Sequence, residues 1–286
     1  MALIALAADK GSPGVTTAAV ALGAVWPRPV LVAECDQAGG DLVYRLPADP
    51  ATSGEPGASG GPTMLNPSRG LLSLAATARR GLRPDQIAEH CQRLVGGLDV
   101  LVGITSAEQA QGMTWLWSPL ARAFRGLGEV DVIADCGRLG AGSPLNELLR
   151  EADMVVLLTR ATLEQVAHLR ERVTALTGEL RGGPPIGVVV LADPRDFRAS
   201  VAEVDRVLTG TRQRMEARGG VPSAPVSVLG GLALDPKGAE LLSGQWGGRL
   251  DRTLLVRSAR ELASTLLTRV SSNPAGAEPM PAGGRY

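Results

Sequence analysis

The residues best suited to chemistry lie near the start of the chain, in Lys10-Gly11-Ser12-Pro13-Gly14-Val15-Thr16-Thr17. They sit between an apolar run, residues 2–8, and an Ala/Val-rich run, residues 15–25. A loop that holds phosphate needs small residues, so that backbone N–H groups can close on the oxygens, and a helix N-terminus behind it. It usually adds a Lys for the β- and γ-phosphates and a Ser or Thr hydroxyl for Mg²⁺. Gly11, Ser12 and Gly14 meet the first need, and Thr16 and Thr17 meet the last. Val15 stands where the Lys is usual, and Lys10 opens the loop instead, so the GxxxxGK[ST] pattern is not met. The competing reading is an ordinary Gly/Pro turn between strand and helix. The rarity of lysine weighs against it, because Lys10 is one of only two lysines among 29 basic residues.

Two further acids end apolar runs. Glu34-Cys35-Asp36 follows VLVA and precedes Gln37-Ala38-Gly39-Gly40-Asp41. An acid there can hold a Mg²⁺-bound water or orient an attacking one. Asp135-Cys136-Gly137 follows VDVIA, with Gly140 and Gly142 beyond. An Asp in that setting suits an outer-sphere Mg²⁺ contact, and the glycines suit a mobile loop beside a γ-phosphate. Taken alone, Glu34-Cys35-Asp36 reads more readily as a solvated strand end, and Asp135 also has that reading, with a flexible loop after it. Their joint order along the chain favours nucleotide binding.

Apolar runs at 2–8, 30–34, 98–104, 130–135, 153–159, 186–192 and 225–229 read as strands. Helices are predicted over 15–25, 71–80, 84–95, 114–126, 143–151, 162–181, 199–218 and 251–270. This alternation predicts an α/β fold with a doubly wound, mostly parallel sheet in one domain, residues 1–270. Ligands in such sheets bind outside the carboxyl ends of the strands, which points to 9–17, 34–41 and 135–142. Residues 47–70, rich in Pro, Gly and Ser, read as a flexible insertion, and 271–286 as a disordered tail.

The bulk properties agree. Apolar residues make up 44% and aromatics only 3%, so Val, Leu, Ile and Ala must build the core, as a doubly covered parallel sheet requires. Net charge is zero, which gives no global field toward nucleic acid or an anionic membrane, and sequence-specific nucleic-acid contact is not expected. Cys35, Cys91 and Cys136 are widely spaced and read as free thiols in a reducing compartment. No signal peptide or membrane span is legible, and a cytoplasmic protein is expected. His90 and His168 lack metal-ligand spacing, and no GxSxG occurs. The closing helix carries an apolar stripe at Ala259, Leu262, Ala263, Leu266, Leu267 and Val270, which reads as packing on its own sheet. Arg257, Arg260 and Arg269 leave a peripheral membrane association open.

KGSPGVTT at 10–17 resembles, without gaps, the altered Walker A motif KGGxGK[ST]T of the MinD/ParA superfamily of P-loop ATPases. Glu34-x-Asp36 resembles that family's acidic pair after strand two, and Asp135 its Walker B acid. The resemblance implies ATP or ADP with Mg²⁺ as cofactors, and Lys10 and Asp36 in catalytic roles. It implies a phosphate cradle from Gly11, Ser12, Pro13, Gly14, Val15, Thr16 and Thr17, and metal contacts from Thr16 and Asp135. It also implies a homodimer that sandwiches nucleotide, with Lys10 reaching the partner's site. AECDQAGGDL, GLLSLAATARR and VLVGITSAEQA are most similar to the Tad pilus-assembly branch, called CpaE-like or TadZ-like. Partners would then be pilus or secretion proteins, with septum-site and chromosome-partition apparatus as alternatives. Many relatives read adenine with an Asn after a late strand, and VVVLADPRD has none.

Losing the Lys at position 15 removes a charge-assisted contact worth about 1.5–3 kcal/mol. Binding can survive on backbone amides, Mg²⁺ and the helix dipole, whereas hydrolysis depends on charge at the transferring group. Weak or absent ATPase activity is the expectation, with a nucleotide-free scaffold as the alternative.

Overall fold

A computed structural model describes residues 1–11, 13–53, 62–180, 182–217, 224–244 and 248–272. Its centre is a strand whose every residue is buried, β1 (Leu3–Ala8). LIALAA has no polar side chain, so it can be covered on both faces. Leu3, Ala5 and Ala7 join one core cluster, and Ile4, Leu6 and Ala8 join the other. Seven more strands follow in chain order: β2 (Val30–Glu34), β3 (Gln92–Arg93), β4 (Asp99–Leu101), β5 (Asp131–Arg138), β6 (Met154–Arg160), β7 (Ile186–Ala192) and β8 (Val226–Ala233).

They form a single sheet in the order β3-β4-β2-β5-β1-β6-β7-β8. Every pairing is parallel except β3 with β4. The sheet is doubly wound as expected: the chain builds outward from β1 toward β2 first and toward β6, β7 and β8 later. The carboxyl ends of β2, β5 and β1 are neighbours, so the three loops singled out in the sequence meet at one edge.

The first helix, Val15–Val25, is apolar almost throughout and packs on β1, β2 and β5 and against the closing helix, Leu254–Ser271. Gly23 allows that approach, because a Cβ there would lie 2.6 Å from Val32 Cγ2. The closing helix buries Ala259, Leu262, Ala263 and Leu266 in the same cluster, with Leu267 and Val270 against it. Its apolar stripe is spent on the protein's own core. Among the described residues no helix is long and apolar enough to cross a membrane.

Three expectations need correction. The helix predicted over 84–95 ends at His90, and Gln92–Arg93 is instead an antiparallel edge strand. Cys91 turns to an extended conformation, and the Gln92 amide donates to the carbonyls of Asn66 and Arg69, holding the chain out of helical geometry. The strand read at 98–104 pairs only over Asp99–Leu101, because the Gly103 N–H is taken by Glu34. The last strand runs to Ala233 rather than ending at 229. Within 47–70, Pro47 bridges Met64 and Ala48 bridges Leu94, while Ala48 and Leu65 are buried. Residues 54–61 of that stretch, and 273–286 of the tail, lie outside the described residues.

The amino end of the sheet is fastened by two acids. Asp131 accepts from the Ala2 N–H at 2.7 Å, the Trp26 indole at 2.8 Å and Arg28 Nε at 2.8 Å. Asp153 accepts from the Leu3 N–H at 2.7 Å. Asp131→Ala strands three donors, two of them buried, and is expected to cost about 2–5 kcal/mol in urea unfolding. A loss below about 0.5 kcal/mol, the scale of an unremarkable surface change, would show that the network does not fasten β1.

Candidate phosphate-binding site

The loop after β1 turns back on glycine. Gly11 has φ +84° and Gly14 φ +90°, the left-handed region in which a side chain is strained. Gly14 is also the N-cap of the first helix, and no side chain caps that helix. The leading N–H groups of Val15, Thr16 and Thr17 are thus left to solvent or to a ligand, at the positive end of the helix dipole. Gln165 packs over Gly11, and its side-chain oxygen accepts from the Arg160 N–H at 3.0 Å. Ser12, the remaining small residue of the motif, lies outside the described residues.

A cleft of about 410 Å³ opens beside the loop. Pro13, Gly14, Val15, Thr16 and Thr17 form one wall, and Asp36, Asp41, Arg45, Gly137 and Arg138 line the rest. One predicted acid, Asp36, thereby meets the loop. Asp36 accepts from the Ala38 N–H at 2.8 Å, and its carboxylate lies where a Cβ on Gly137 would have to be. Gly137, at φ +55°, is what lets Asp36 approach β5. Burial pushes the Asp36 carboxyl up from its ordinary value, the Asp41 charge adding to the rise and the Ala38 N–H opposing it.

Asp135 is only 1% exposed. The Gly137 N–H donates to its Oδ1 at 3.0 Å, while Oδ2 has no hydrogen-bond partner. This carboxyl is pushed up to about 7, chiefly by burial; the Glu34 and Asp36 charges add to the rise, and the Thr16 hydroxyl and Gly137 N–H oppose it. A buried carboxylate oxygen without a partner, beside a threonine hydroxyl, is costly unless a cation or a proton completes it. That donor set fits Mg²⁺ held largely by phosphate oxygens and water. Among the described residues no cluster of three His, Cys, Asp or Glu side chains could hold a metal alone.

Glu34 plays a different part. Its Oε1 accepts from the Asp41 and Leu42 N–H groups at 2.9 and 3.0 Å, and its Oε2 from the Gly103 N–H at 3.0 Å. Burial raises its pKa while those three bonds lower it. It braces the 38–42 loop against the end of β4, and a Cβ on Gly40 would overlap its carboxyl. Of the acidic pair, then, Asp36 faces the cleft and Glu34 is internal.

Two predicted residues put no side-chain charge into the cleft. Val15 is 7% exposed and packs into the core on the helix side. Lys10 is exposed, does not line the cleft, and has no ion pair among the described residues. Its neighbour Asp9 is held by Arg172 at 2.6 Å.

A second cleft of about 280 Å³ lies across the loop. Pro13, Gly14 and Thr17 border it along with Arg160, Leu191, Leu232, Asp235, Pro236 and Leu255. Its walls are mostly aliphatic. Asp235 is spent on the N–H groups of Gly238 and Leu254 at 3.1 and 2.9 Å, whereas the buried Arg160 Nε has no partner. Sequence reasoning missed Arg45, Arg138 and Arg160. None lies in a motif, and in an arginine-rich chain nothing local distinguishes them.

No protein-family model matches the chain, and neither does any curated protein. Solved structures do. A ParA family ATPase from Chlorobium tepidum TLS superposes with a TM-score of 0.65 at 17% identity, covering 93% of this chain and 98% of that one. The cell division ATPase MinD of Pyrococcus furiosus gives 0.62 at 16%, again over 93% and 98%. Cobyrinic acid a,c-diamide synthase from Mycobacterium smegmatis, with bound ATP analog and magnesium, gives 0.57 at 18%, over 98% and 100%. At these identities the likeness is one of architecture, and the chain has the fold of MinD/ParA-type P-loop ATPases.

Proposed function

We propose that this protein binds ATP or ADP with Mg²⁺ on the 10–17 loop and works as a nucleotide-gated localisation or regulatory factor that turns over ATP slowly or not at all. The observation that carries this is the left-handed Gly14 opening an uncapped helix, with the Thr16 hydroxyl beside Asp135, whose Oδ2 lacks a partner. The N–H groups of residues 14–17 would take the phosphates, Thr16 and Asp135 would hold the Mg²⁺, and Asp36 would orient water. The second cleft, walled by leucines, would take the base. Mg²⁺ supplies charge for the β- and γ-phosphates. The ATP analog and magnesium bound in the structurally similar synthase accord with this cofactor set.

Slow turnover follows from Val15. A side chain committed to the core cannot put charge on the transferring phosphate. Lys10 points the reading toward a homodimer: it is exposed beside the loop and outside the cleft, as a residue serving a second copy would be. The pilus or secretion apparatus remains the preferred setting, on the likeness of AECDQAGGDL and the segments after it to the Tad branch. Septum or partition apparatus is the alternative. A peripheral membrane contact would have to use the exposed Arg257, Arg260 and Arg269, since the apolar stripe of that helix is covered.

Three measurements on the full chain test this reading. Mg-ATP should raise the melting temperature, turnover should fall well below the common enzymatic range of about 1–10³ s⁻¹, and ATP should shift the light-scattering mass toward a dimer that Lys10→Ala cannot form. Rapid turnover would overturn the hydrolysis claim. A protein insensitive to every nucleotide would support the scaffold alternative instead.

Asp135 predicts a pH dependence. Its folded pKa of about 7 lies above that of an unfolded aspartate, so its contribution to the stability of the free protein is present at low pH and lost as pH rises through 7. Mg²⁺ needs the ionised form, so Mg-nucleotide binding should weaken as pH falls from 8 to 6. Asp135→Asn should stabilise the free protein at pH 8 by on the order of 1–3 kcal/mol and abolish the Mg²⁺ dependence. A destabilised variant that keeps its Mg²⁺ dependence would contradict both.

A further inference from the structure

Position 15 leaves the cleft without the lysine that a phosphate loop ordinarily carries, yet the cleft is not without cations. We infer that Arg138 supplies this charge, reaching the bound phosphates from β5 through a bulge that turns it toward the loop. The inference rests on the nucleotide reading above and adds to it a binding residue in no motif.

The register carries the argument. β1 and β5 pair residue for residue at Leu3–Val132, Ile4–Ile133, Ala5–Ala134 and Leu6–Asp135, but the next pair is Ala8 with Arg138. Two steps along β1 match three along β5, so β5 holds one extra residue. Gly137, at φ +55°, absorbs it. Such a bulge re-aims the side chains that follow, because strand faces alternate with period two.

The core assignments show the reversal. Val132, Ala134 and Cys136 lie in one cluster, and Ile133 lies in the other, with the first helix. Unbroken alternation would place Arg138 on the face of Cys136, in packed apolar core. Instead Leu139 joins Cys136 there. Arg138, opposite Ala8, emerges on the face of the first helix. The Leu139 N–H donates to the Ala8 carbonyl at 2.9 Å and holds the strand beside the start of the loop.

The other cations are less suited. Arg45 lines the same cleft but bonds Asp41 at 2.5 Å, so its charge is largely matched. Lys10 does not line the cleft. Arg138 is exposed at the cleft wall and has neither ion pair nor side-chain hydrogen bond among the described residues. A guanidinium is always charged and can grip phosphate with two parallel hydrogen bonds, adding a full positive charge that backbone N–H groups do not carry.

The test measures equilibrium affinity for Mg-ATP, Mg-ADP and AMP in the full-length protein and three variants. Arg138→Ala should weaken ATP and ADP roughly ten- to a hundredfold and AMP by less than about threefold. Arg138→Lys should retain most of the affinity. Arg150→Ala, which breaks a surface pair with Glu147 away from the cleft, should change ATP affinity by less than about threefold. Unchanged ATP affinity in Arg138→Ala, or equal losses for all three nucleotides, would overturn the inference, since the latter marks a structural role. If the unaltered protein binds no nucleotide, Arg138 does not supply the charge and the inference also falls. Val15→Lys then decides the reading beneath it: gain of ATP binding would keep the phosphate loop, and none in a folded variant would remove that too.

Discussion

β1 is a six-residue strand with no exposed face, and the site takes its position from it. Because both its neighbours, β5 and β6, are parallel to it, its carboxyl end is flanked by theirs. The loop that leaves β1 therefore emerges at the middle of a sheet edge rather than at its rim. Complete burial demands an all-aliphatic sequence, and LIALAA meets that demand. The small alanines matter as much as the leucines. They let the first helix and the helices of the opposite layer close on the strand from both sides, so the chain beyond Ala8 turns back directly above the core.

Against this apolar centre stand three carboxylates at the carboxyl ends of adjacent strands: Glu34, Asp36 and Asp135. Each has its pKa raised by burial, and each is resolved differently. Glu34 is satisfied by three backbone N–H groups and becomes structure. Asp36 keeps one such bond and faces the cleft. Asp135 keeps one oxygen paired and one unpaired, which is a costly arrangement for a buried carboxylate.

The loop divides two clefts of different character. The side of Asp36, Thr16 and the arginines is polar, and the side of Leu191, Leu232 and Leu255 is aliphatic. A nucleotide has the same asymmetry, with charge at one end and an aromatic ring at the other. Val15 packs into the core on the helix side, and the positive charge that lines the polar cleft belongs to Arg45 and Arg138, outside the loop.

Much of this was legible in the residues alone. The strands from β5 to β7 and the first and closing helices follow from uninterrupted aliphatic runs and a 3.6-residue stripe, because burial on both faces permits little else. The three loops could be placed by the rule that ligands sit at strand carboxyl ends, and the structure sets Asp36 and Asp135 beside the Gly14–Thr17 end of the first loop. The edge strand at Gln92 was not legible, since two residues carry no period and their conformation is set by bonds to Asn66 and Arg69. The division of labour between Glu34 and Asp36 was hidden as well, because it depends on which carboxylate meets the backbone of a strand about 70 residues away. The facing of Arg138 was the least accessible. A one-residue bulge reverses the side of a strand on which every later residue falls, and only the register against β1 reveals it. The sequence alone determined which residues could bind phosphate, since that depends on side-chain type and on glycine at a turn. Only the tertiary structure decided which charges reach the site, because that depends on strand parity and on which donors the folded backbone has already consumed.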